Sequence, residues 1–415
     1  MTAGNVFLRT LFCVSFFVGP VVPGSAAQGL TANEELGKSL FFDDNLSING
    51  NQSCAACHGP AVGWTGPNED INAHGSVYEG SIAGRFGNRK PPSSAYATFS
   101  PILHMSREDF VGGNFWDGRA TGEKLGNPAA DQALGPFLNP LEQALDTPAD
   151  VVERVCAGSY AALFMEVWGE AVCDPANVDA AYDAIGLSIA AYEGSPEVNA
   201  FTSKYDAVIG KKGPQMKIQL TAMEKQGRAL FRGKAKCERC HPSKGMAPLF
   251  TDFTYDNLGV PRNPENPFYD ELDFNPLGPD WVDLGLGGFL ETRADYAEFA
   301  DDNYGKQKVP TLRNLDKRPF PMFVKAYGHN GYFKSLKGIV HFYNTRDVKP
   351  RCADPLTPME EALAQDCWPE PEVAENVNTD ELGDLGLSDE EEDAIVAFLK
   401  TLSDGFETPA AGKSR

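Results

Sequence analysis

The chain has 415 residues and a formal net charge of −22 at pH 7, from 36 basic and 58 acidic side chains. This charge argues against nucleic acid or an anionic membrane surface as a partner, because both are negatively charged themselves. Hydrophobic residues make up 42% of the chain. Its length and composition are therefore sufficient for two domains of ordinary size, each with its own core.

The first element in chain order is a targeting segment, which we predict over residues 1–27. Arg9 is the only charged side chain before the apolar stretch Leu11–Val22, and small residues follow up to Ala27. This pattern is typical of a secretory signal peptide, and its apolar part is too short for a stable membrane anchor. We expect an exported protein, periplasmic or on the cell surface, in which no later segment spans a membrane.

A helix is predicted over Leu30–Phe41, and a similar segment recurs at Leu220–Phe231. Each carries a Thr followed by a Glu three residues later: Thr31 with Glu34, and Thr221 with Glu224. Such a pair forms a capping box, in which the two side chains accept free backbone N–H groups at the helix start. The recurrence indicates a tandem duplication of one helical unit.

Each of these helices is followed by the pattern C-x-x-C-H, at Cys54–His58 and at Cys237–His241. Its two thiols can add to the vinyl groups of a haem, and the adjacent His then binds the iron. A thioredoxin-like redox pair and half of a zinc site are the alternatives, but neither needs the adjacent His. Two such motifs predict two covalently bound haem c groups. The expected attachment and iron-binding residues are Cys54, Cys57, His58, Cys237, Cys240 and His241.

Further amphipathic helices are predicted from apolar periodicity. They lie at Pro148–Trp168, Asp179–Tyr192, Ser335–Tyr343 and Asp389–Leu402, the last with a capping box of Ser388 and Glu391. Long Gly- and Pro-rich loops, such as 257–288, separate them, and no segment alternates convincingly enough to predict a strand. The fold class is therefore mostly α, with two tandem haem domains and long loops.

The duplication also predicts the domain boundaries. The first domain covers residues 28–196 and the second covers residues 220–406. The polar stretch 197–219 is interpreted as a linker, and residues 407–415 as a tail rich in small residues and Pro.

Four cysteines lie outside the haem motifs and the signal peptide. They form two pairs that are close in sequence, Cys156 with Cys173 and Cys352 with Cys367. In an oxidising compartment such pairs are expected to be disulfides, although buried free thiols are the alternative.

Three more motifs resemble those of the bacterial di-haem cytochrome c peroxidases, and more closely those of their MauG-like branch. They are FWDGRA at Phe115–Ala120, QALGPFLNPLE at Gln132–Glu142, and GHNGYFKSLKGIVHFYN at Gly328–Asn344. The resemblance covers nearly the whole mature chain. It implies cytochrome c-like domains, with a peroxide-reactive haem in the first and an electron-transfer haem in the second.

The resemblance also implies roles for single residues. Trp116 would lie between the two haems and couple them, although a core aromatic is the simpler alternative. Gln132 and Glu142 would line the peroxide side of the first haem. A partly desolvated carboxylate there can move a proton from one peroxide oxygen to the other, whereas the alternative for Glu142 is an acid at a helix N-terminus.

Tyr343 stands where the peroxidases carry the Met ligand of the second haem and the MauG branch carries Tyr. A phenolate favours oxidised iron, whereas a thioether favours reduced iron and raises the potential. The alternative is that Tyr343 only packs, and that Met322 or Met246 binds the iron.

Two further ligands are implied less directly. His74 stands sixteen residues after His58, where the peroxidases place a loop His that caps the first haem. A calcium ion between the haems would be held by an Asn side chain and backbone carbonyls, with Asn88 as the candidate. The T-x-P segment that usually supplies the carbonyls is replaced here by Val324 and Ala326, whose backbone oxygens could still serve.

Three function classes follow from these residues. The first is a MauG-like peroxidase that oxidises Trp or Tyr residues of a protein substrate. The second is a cytochrome c peroxidase that reduces hydrogen peroxide with electrons from a small c-type cytochrome or a cupredoxin. The third is a non-catalytic di-haem electron-transfer protein. An open first haem beside Glu142 speaks against the third class, and Tyr343 favours the first.

Overall fold

The computed structural model describes Met1, residues 29–210 and residues 218–407. The rest of the predicted signal peptide 1–27, the middle of the predicted linker and most of the predicted tail lie outside the described residues. Within the described ranges, no helix is long and apolar enough to cross a membrane.

The described part of the chain is helical with little sheet, as predicted. The helices up to residue 210 are α1 (Ala32–Phe41), α2 (Cys54–Cys57), α3 (Glu69–Ala73), α4 (Pro128–Leu138), α5 (Pro148–Ala157), α6 (Ala161–Trp168), α7 (Val178–Glu193) and α8 (Lys204–Ile209). Those after residue 218 are α9 (Ala222–Arg232), α10 (Gly285–Leu290), α11 (Leu336–Thr345), α12 (Met359–Ala364) and α13 (Asp389–Lys400).

Two small antiparallel sheets accompany the helices. β1 (His104–Ser106) pairs with β2 (Asp109–Val111), and β3 (Tyr255–Asp256) pairs with β4 (Gln307–Lys308). Strands of two or three residues are too short to show an alternating pattern, which explains why none was predicted.

The helix starts are confirmed, but three other predictions need correction. All three predicted capping boxes form, at the N-termini of α1, α9 and α13. The stretch Pro148–Trp168 is two helices, because the backbone becomes extended at Gly158. The predicted loop 257–288 contains the start of α10, at Gly285.

The third correction concerns the predicted linker, which contains helix α8. A capping box of Ser203 and Asp206 starts α8, and Tyr205 is buried among the core residues of the second half. Arg313, itself 2% exposed, donates to both carboxylate oxygens of Asp206 at 2.8 and 3.0 Å. This part of the linker is therefore packed onto the second half.

The described residues form two large hydrophobic cores, one from each half of the sequence. One is built from buried residues between Leu36 and Val198, and the other from buried residues between Tyr205 and Leu402. The disulfides are confirmed, since Cys156 is bonded to Cys173 and Cys352 to Cys367.

The same helix crossing occurs in each half. α1 packs against α7, and α9 packs against α13. At both crossings a glycine allows backbone contact: a Cβ on Gly37 would lie 1.8 Å from the Ser188 carbonyl oxygen, and a Cβ on Gly227 would lie 1.8 Å from that of Ala394. Each crossing closes the core next to one C-x-x-C-H motif.

Replacing Gly227 by Ala should destabilise the holoprotein. Ala normally favours a helix over Gly by about 1 kcal/mol, but the crossing leaves no room for a methyl group, and such overpacking costs about 1–3 kcal/mol or more. The denaturant midpoint followed by circular dichroism should therefore fall. Gly87→Ala is the control, because a Cβ there meets nothing within 4 Å. An unchanged midpoint for Gly227→Ala would contradict the close crossing.

Candidate active site

The first C-x-x-C-H motif forms α2, and His58 follows as its C-terminal cap. The Nδ1 atom of His58 lies 3.2 Å from the backbone oxygen of Trp64. Burial lowers the pKa of His58 to about 4, so the ring is neutral, with the Nδ1 proton donated to this carbonyl. The Nε2 lone pair is then free to bind a metal, as in most histidine ligands.

The second motif repeats this arrangement. Its cysteines lie on a short 3₁₀ turn, Cys237–Arg239, and the residue after it. The Nδ1 atom of His241 lies 2.8 Å from the backbone oxygen of Phe250, and burial lowers the pKa of His241. Both motif histidines are therefore fixed in the same tautomer.

The two carbonyls that hold these rings belong to unusual residues. Trp64 and Phe250 both have left-handed backbones, with φ of 62° and 54°. This conformation is rare for bulky side chains and persists only where the surroundings enforce it. Here both side chains are anchored in the cores, at 4% and 1% exposure. The sequence offered no signal for this pair.

The four motif thiols are unpaired and half-buried. Burial raises the pKa of Cys54 and of Cys237 to about 12, and it raises the pKa of Cys57 and of Cys240 as well. A thioredoxin-like pair has a lowered thiol pKa, so these shifts do not favour that alternative. Half-buried thiols, each pair followed by an oriented imidazole, fit the attachment of haem c.

A cavity that is partly open to solvent adjoins the second motif. Cys237, Cys240 and His241 line it, together with Tyr343 and Trp116. The cavity therefore suits a haem at this motif.

Tyr343 reaches this cavity from α11. Burial raises the pKa of its phenol, so a metal that binds the oxygen would have to displace the proton, as bound metals do with coordinating thiols. The alternative ligands Met322 and Met246 are 82% and 85% exposed. Of the three candidates, only Tyr343 lines the cavity.

Trp116 is held rigidly at the same cavity. It is 8% exposed, and its indole N–H donates to the Lys90 backbone oxygen at 2.8 Å. The Lys90 ammonium in turn contributes to lowering the pKa of His58. Lys90 thus contacts Trp116 at the cavity of the second motif and also acts on His58 of the first motif.

The rest of the FWDGRA motif builds an ion-pair network around Trp116. Asp117 accepts from Arg89 at 2.5 Å and from Arg119 at 2.8 Å, and Arg89 also binds Asp283 at 2.6 Å. Asp283 is 3% exposed, and Arg89 holds its pKa below the usual range. The network joins the two halves through the pair of Arg89 and Asp283.

Glu142 lies just after α4, close to the first motif. Its carboxylate accepts from the Asn139 amide at 2.8 Å, and its charge helps to raise the pKa of Cys57. Burial raises the pKa of Glu142, although Arg119 and Asn139 oppose the shift. Gln132 is half-buried on α4, one turn before Gly135, where a Cβ would lie 3.3 Å from the Phe115 ring.

His74 and Asn88 both make contacts with other residues of the chain. The His74 side chain is 64% exposed, and its ring nitrogens lie 3.7 Å from Asp70 and 3.5 Å from Glu265. In the described part of the chain, no contact directs it toward His58. The Asn88 backbone oxygen accepts from the Asn266 amide at 3.0 Å.

Several buried groups at the cavity were missed from the sequence. His329 is 6% exposed, its ring meets Trp116 edge-on at 6.4 Å, and its Nε2 lies 3.5 Å from Glu372. Lys90, Lys308 and Lys325 also line the cavity. Single lysines near Pro or aromatic residues give no pattern from which burial could be predicted.

Comparisons with known proteins identify relatives of the whole chain. The family model described as "Di-haem cytochrome c peroxidase" matches residues 31–213. The chain is 35% identical to methylamine utilization protein MauG of Paracoccus denitrificans, over 94% of each chain. It is 29% identical to cytochrome-c peroxidase IdrP2 of a Pseudomonas species, covering 93% of this chain and 84% of that one.

A solved structure shares the fold. The diheme peroxidase BthA of Burkholderia thailandensis superposes with a TM-score of 0.72 at 28% identity, over 91% of this chain and 87% of that chain. The two motifs, their oriented histidines and these similarities lead to one assignment. The chain belongs to the di-haem cytochrome c peroxidase and MauG family, and it is a peroxidase-type oxidoreductase with two haem c groups.

Proposed function

We propose that this protein is a MauG-like peroxidase in which the haem at His58 reacts with hydrogen peroxide and the haem at His241 shares the oxidation. The observation that carries the proposal is the placement of Tyr343, which lines one cavity together with His241 and Trp116. The haem groups supply the iron at which peroxide is reduced and the O–O bond is broken. The residues of the chain supply the protons, the ligands and the coupling.

Glu142 is proposed as the acid and base. Its raised pKa brings the carboxyl group closer to the working pH, where a group can both accept and return a proton. The hydrogen bond from Asn139 orients one carboxylate oxygen, which leaves the other to take a proton from peroxide. Gln132 is proposed to help orient the peroxide.

Trp116 is proposed as the electron relay. A buried indole with its N–H bound to a backbone oxygen keeps one orientation, and a fixed aromatic ring shortens the steps that an electron must make. The network of Arg89, Asp117 and Asp283 holds the segment in place.

Tyr343 is proposed as the second ligand of the haem at His241. A phenolate oxygen is a hard anionic ligand that favours oxidised iron over reduced iron. This ligand suits a haem that shares oxidising equivalents, whereas a Met ligand suits an electron reservoir.

The proposed organisation is a tandem of cytochrome c-like domains, residues 28–196 and 220–406, with the helix crossings at Gly37 and Gly227 as their common feature.

The proposed compartment is the periplasm. Relatives named MauG and cytochrome-c peroxidase support a redox protein as partner, either a small c-type cytochrome, a cupredoxin or a protein oxidised at Trp or Tyr. A net charge of −22 favours a partner with a basic face.

His74 is proposed as the sixth ligand of the first haem only if its exposed loop moves toward that haem. The calcium ion expected at Asn88 is not part of the proposal, because the ammonium groups of Lys90 and Lys325 bind backbone oxygens in that region.

Both haems should be covalent. Acid-acetone extraction of the denatured protein should leave two haems per chain, because thioether bonds survive this treatment whereas iron–histidine bonds do not. Haem quantification by the pyridine haemochrome spectrum checks this. A single retained haem would contradict attachment at one of the two motifs.

Glu142→Gln should nearly abolish the reaction with peroxide while both haems stay bound, because the amide keeps the shape but cannot carry the proton. The loss should exceed about tenfold in rate, or roughly 1.4 kcal/mol of barrier. Stopped-flow mixing with peroxide measures it. Glu193→Gln is the matched control: Glu193 is also a buried acid, with a pKa raised to about 8, and it also acts on a motif thiol. Equal losses in both variants would show that the effect is a general response to the loss of a buried carboxyl group.

Tyr343→Met should raise the reduction potential of the second haem, since a thioether replaces an anionic oxygen. We expect a rise well above about 59 mV, which is a tenfold change in a one-electron equilibrium constant. Spectroelectrochemical titration measures it, with Tyr327→Phe as a control at another tyrosine of the same cavity. A wild-type haem that already shows a high, Met-type potential would refute the phenolate ligand.

A further inference from the structure

Two buried lysines lie between the haem sites without a carboxylate partner. Lys90 is 8% exposed and Lys325 is 3% exposed, and both line the cavity of the second motif. In the described part of the chain, neither ammonium group forms an ion pair. Buried charges are ordinarily paired, so these two groups call for an explanation.

Each ammonium group is held by neutral oxygens. Lys325 donates to the backbone oxygens of Val62 at 2.7 Å and of Asn314 and Lys317 at 3.1 Å. Lys90 donates to the Thr65 hydroxyl and to the Pro91 backbone oxygen, both at 3.0 Å. Backbone carbonyls and neutral side-chain oxygens are also among the ligands that calcium uses. This oxygen cage is therefore occupied by side chains of the protein.

The cage joins the two halves of the molecule. Val62 follows the first haem motif by four residues, whereas Asn314, Lys317 and Lys325 belong to the second half. The halves touch at this point, since a Cβ on Gly63 would lie 2.7 Å from the Asn314 backbone oxygen. The ammonium group of Lys325 thus bridges the halves as a bound cation would.

The electrostatic surroundings disfavour a metal ion. Only the ammonium form of Lys325 has three N–H donors for its three backbone oxygens, although burial, as the largest cause, lowers its pKa. The neighbouring cations Lys90, Arg318 and Lys317 also lower that pKa, against the anion Asp316. A divalent cation placed among them would meet net repulsion at short range in a region of low dielectric constant. Of the sequence-predicted calcium ligands, Ala326 lines the cavity, whereas Asn88 and Val324 do not.

We propose that the ammonium groups of Lys90 and Lys325 supply the two positive charges that the sequence-predicted calcium ion would have supplied, and that this chain binds no calcium there. The charge of the pair equals that of one divalent cation. The pair also offers a fixed counter-charge to the carboxylate groups that two haems bring. This inference rests on family membership and not on the proposed reaction with peroxide.

The test uses the holoprotein and does not depend on its activity. After dialysis against a chelator, the wild type should contain no stoichiometric calcium by elemental analysis. Its haem absorption spectra and thermal midpoint should be the same in EGTA and in millimolar calcium. A retained calcium ion, or a spectrum that changes on chelation and recovers with calcium, would overturn the proposal.

A double variant, Lys90→Asn with Lys325→Ala, tests whether calcium can bind once both cations are removed. It removes both cations, keeps the neutral oxygens and adds an amide oxygen, so its thermal midpoint should rise on addition of calcium. Lys308→Met is the matched control. Lys308 also lines the cavity, but it binds the separate group of Ser100, Gly112 and Gly113.

The control variant should remain insensitive to calcium. A double variant that folds and stays insensitive, or a control that responds equally, would refute a local cation site. If the double variant yields no holoprotein, the chelation experiment on the wild type decides alone.

Discussion

The whole site depends on one contact that the chain makes twice, the hydrogen bond from a motif histidine to a backbone carbonyl. His58 is held by Trp64 and His241 by Phe250, and each carbonyl is presented by a bulky residue with a left-handed backbone. A strained conformation of this kind costs on the order of 1–3 kcal/mol, which the surrounding core packing must offset. The helix crossings at Gly37 and Gly227 close those cores. The packing that stabilises the fold therefore also holds the two histidine ligands in their orientation.

Charged groups and their hydrogen bonds connect the two halves in the region between the two motifs. Arg89 ties Asp117 to Asp283, the Lys90 carbonyl holds the indole of Trp116, and Lys325 fills a cage of carbonyl oxygens. Such groups are costly to bury unless each is paired or hydrogen-bonded. Their arrangement fixes the position of Trp116 relative to both motifs, which a relay between two redox centres requires.

Local patterns in the sequence predicted the parts that depend on local chemistry. The capping boxes at Thr31, Thr221 and Ser388, the two haem motifs and both disulfides follow from residue type and short spacing, and the family resemblance implied Trp116 and Tyr343 as site residues. Features that depend on distant contacts were not predictable. Nothing near Lys325 indicates that it bridges to Val62, and nothing in the polar stretch around Tyr205 indicates that α8 packs onto the second core.

The central claim is that the haem at His241 has a ligand suited to the oxidised state, so that the protein can react with peroxide without prior reduction. Rapid mixing of the fully oxidised protein with peroxide, followed by absorption and electron paramagnetic resonance, tests this most directly. The account predicts a fast spectral change that involves both haems, with no lag and no need for an added reductant. A reaction that occurs only after one haem has been reduced would contradict it and would identify an ordinary cytochrome c peroxidase.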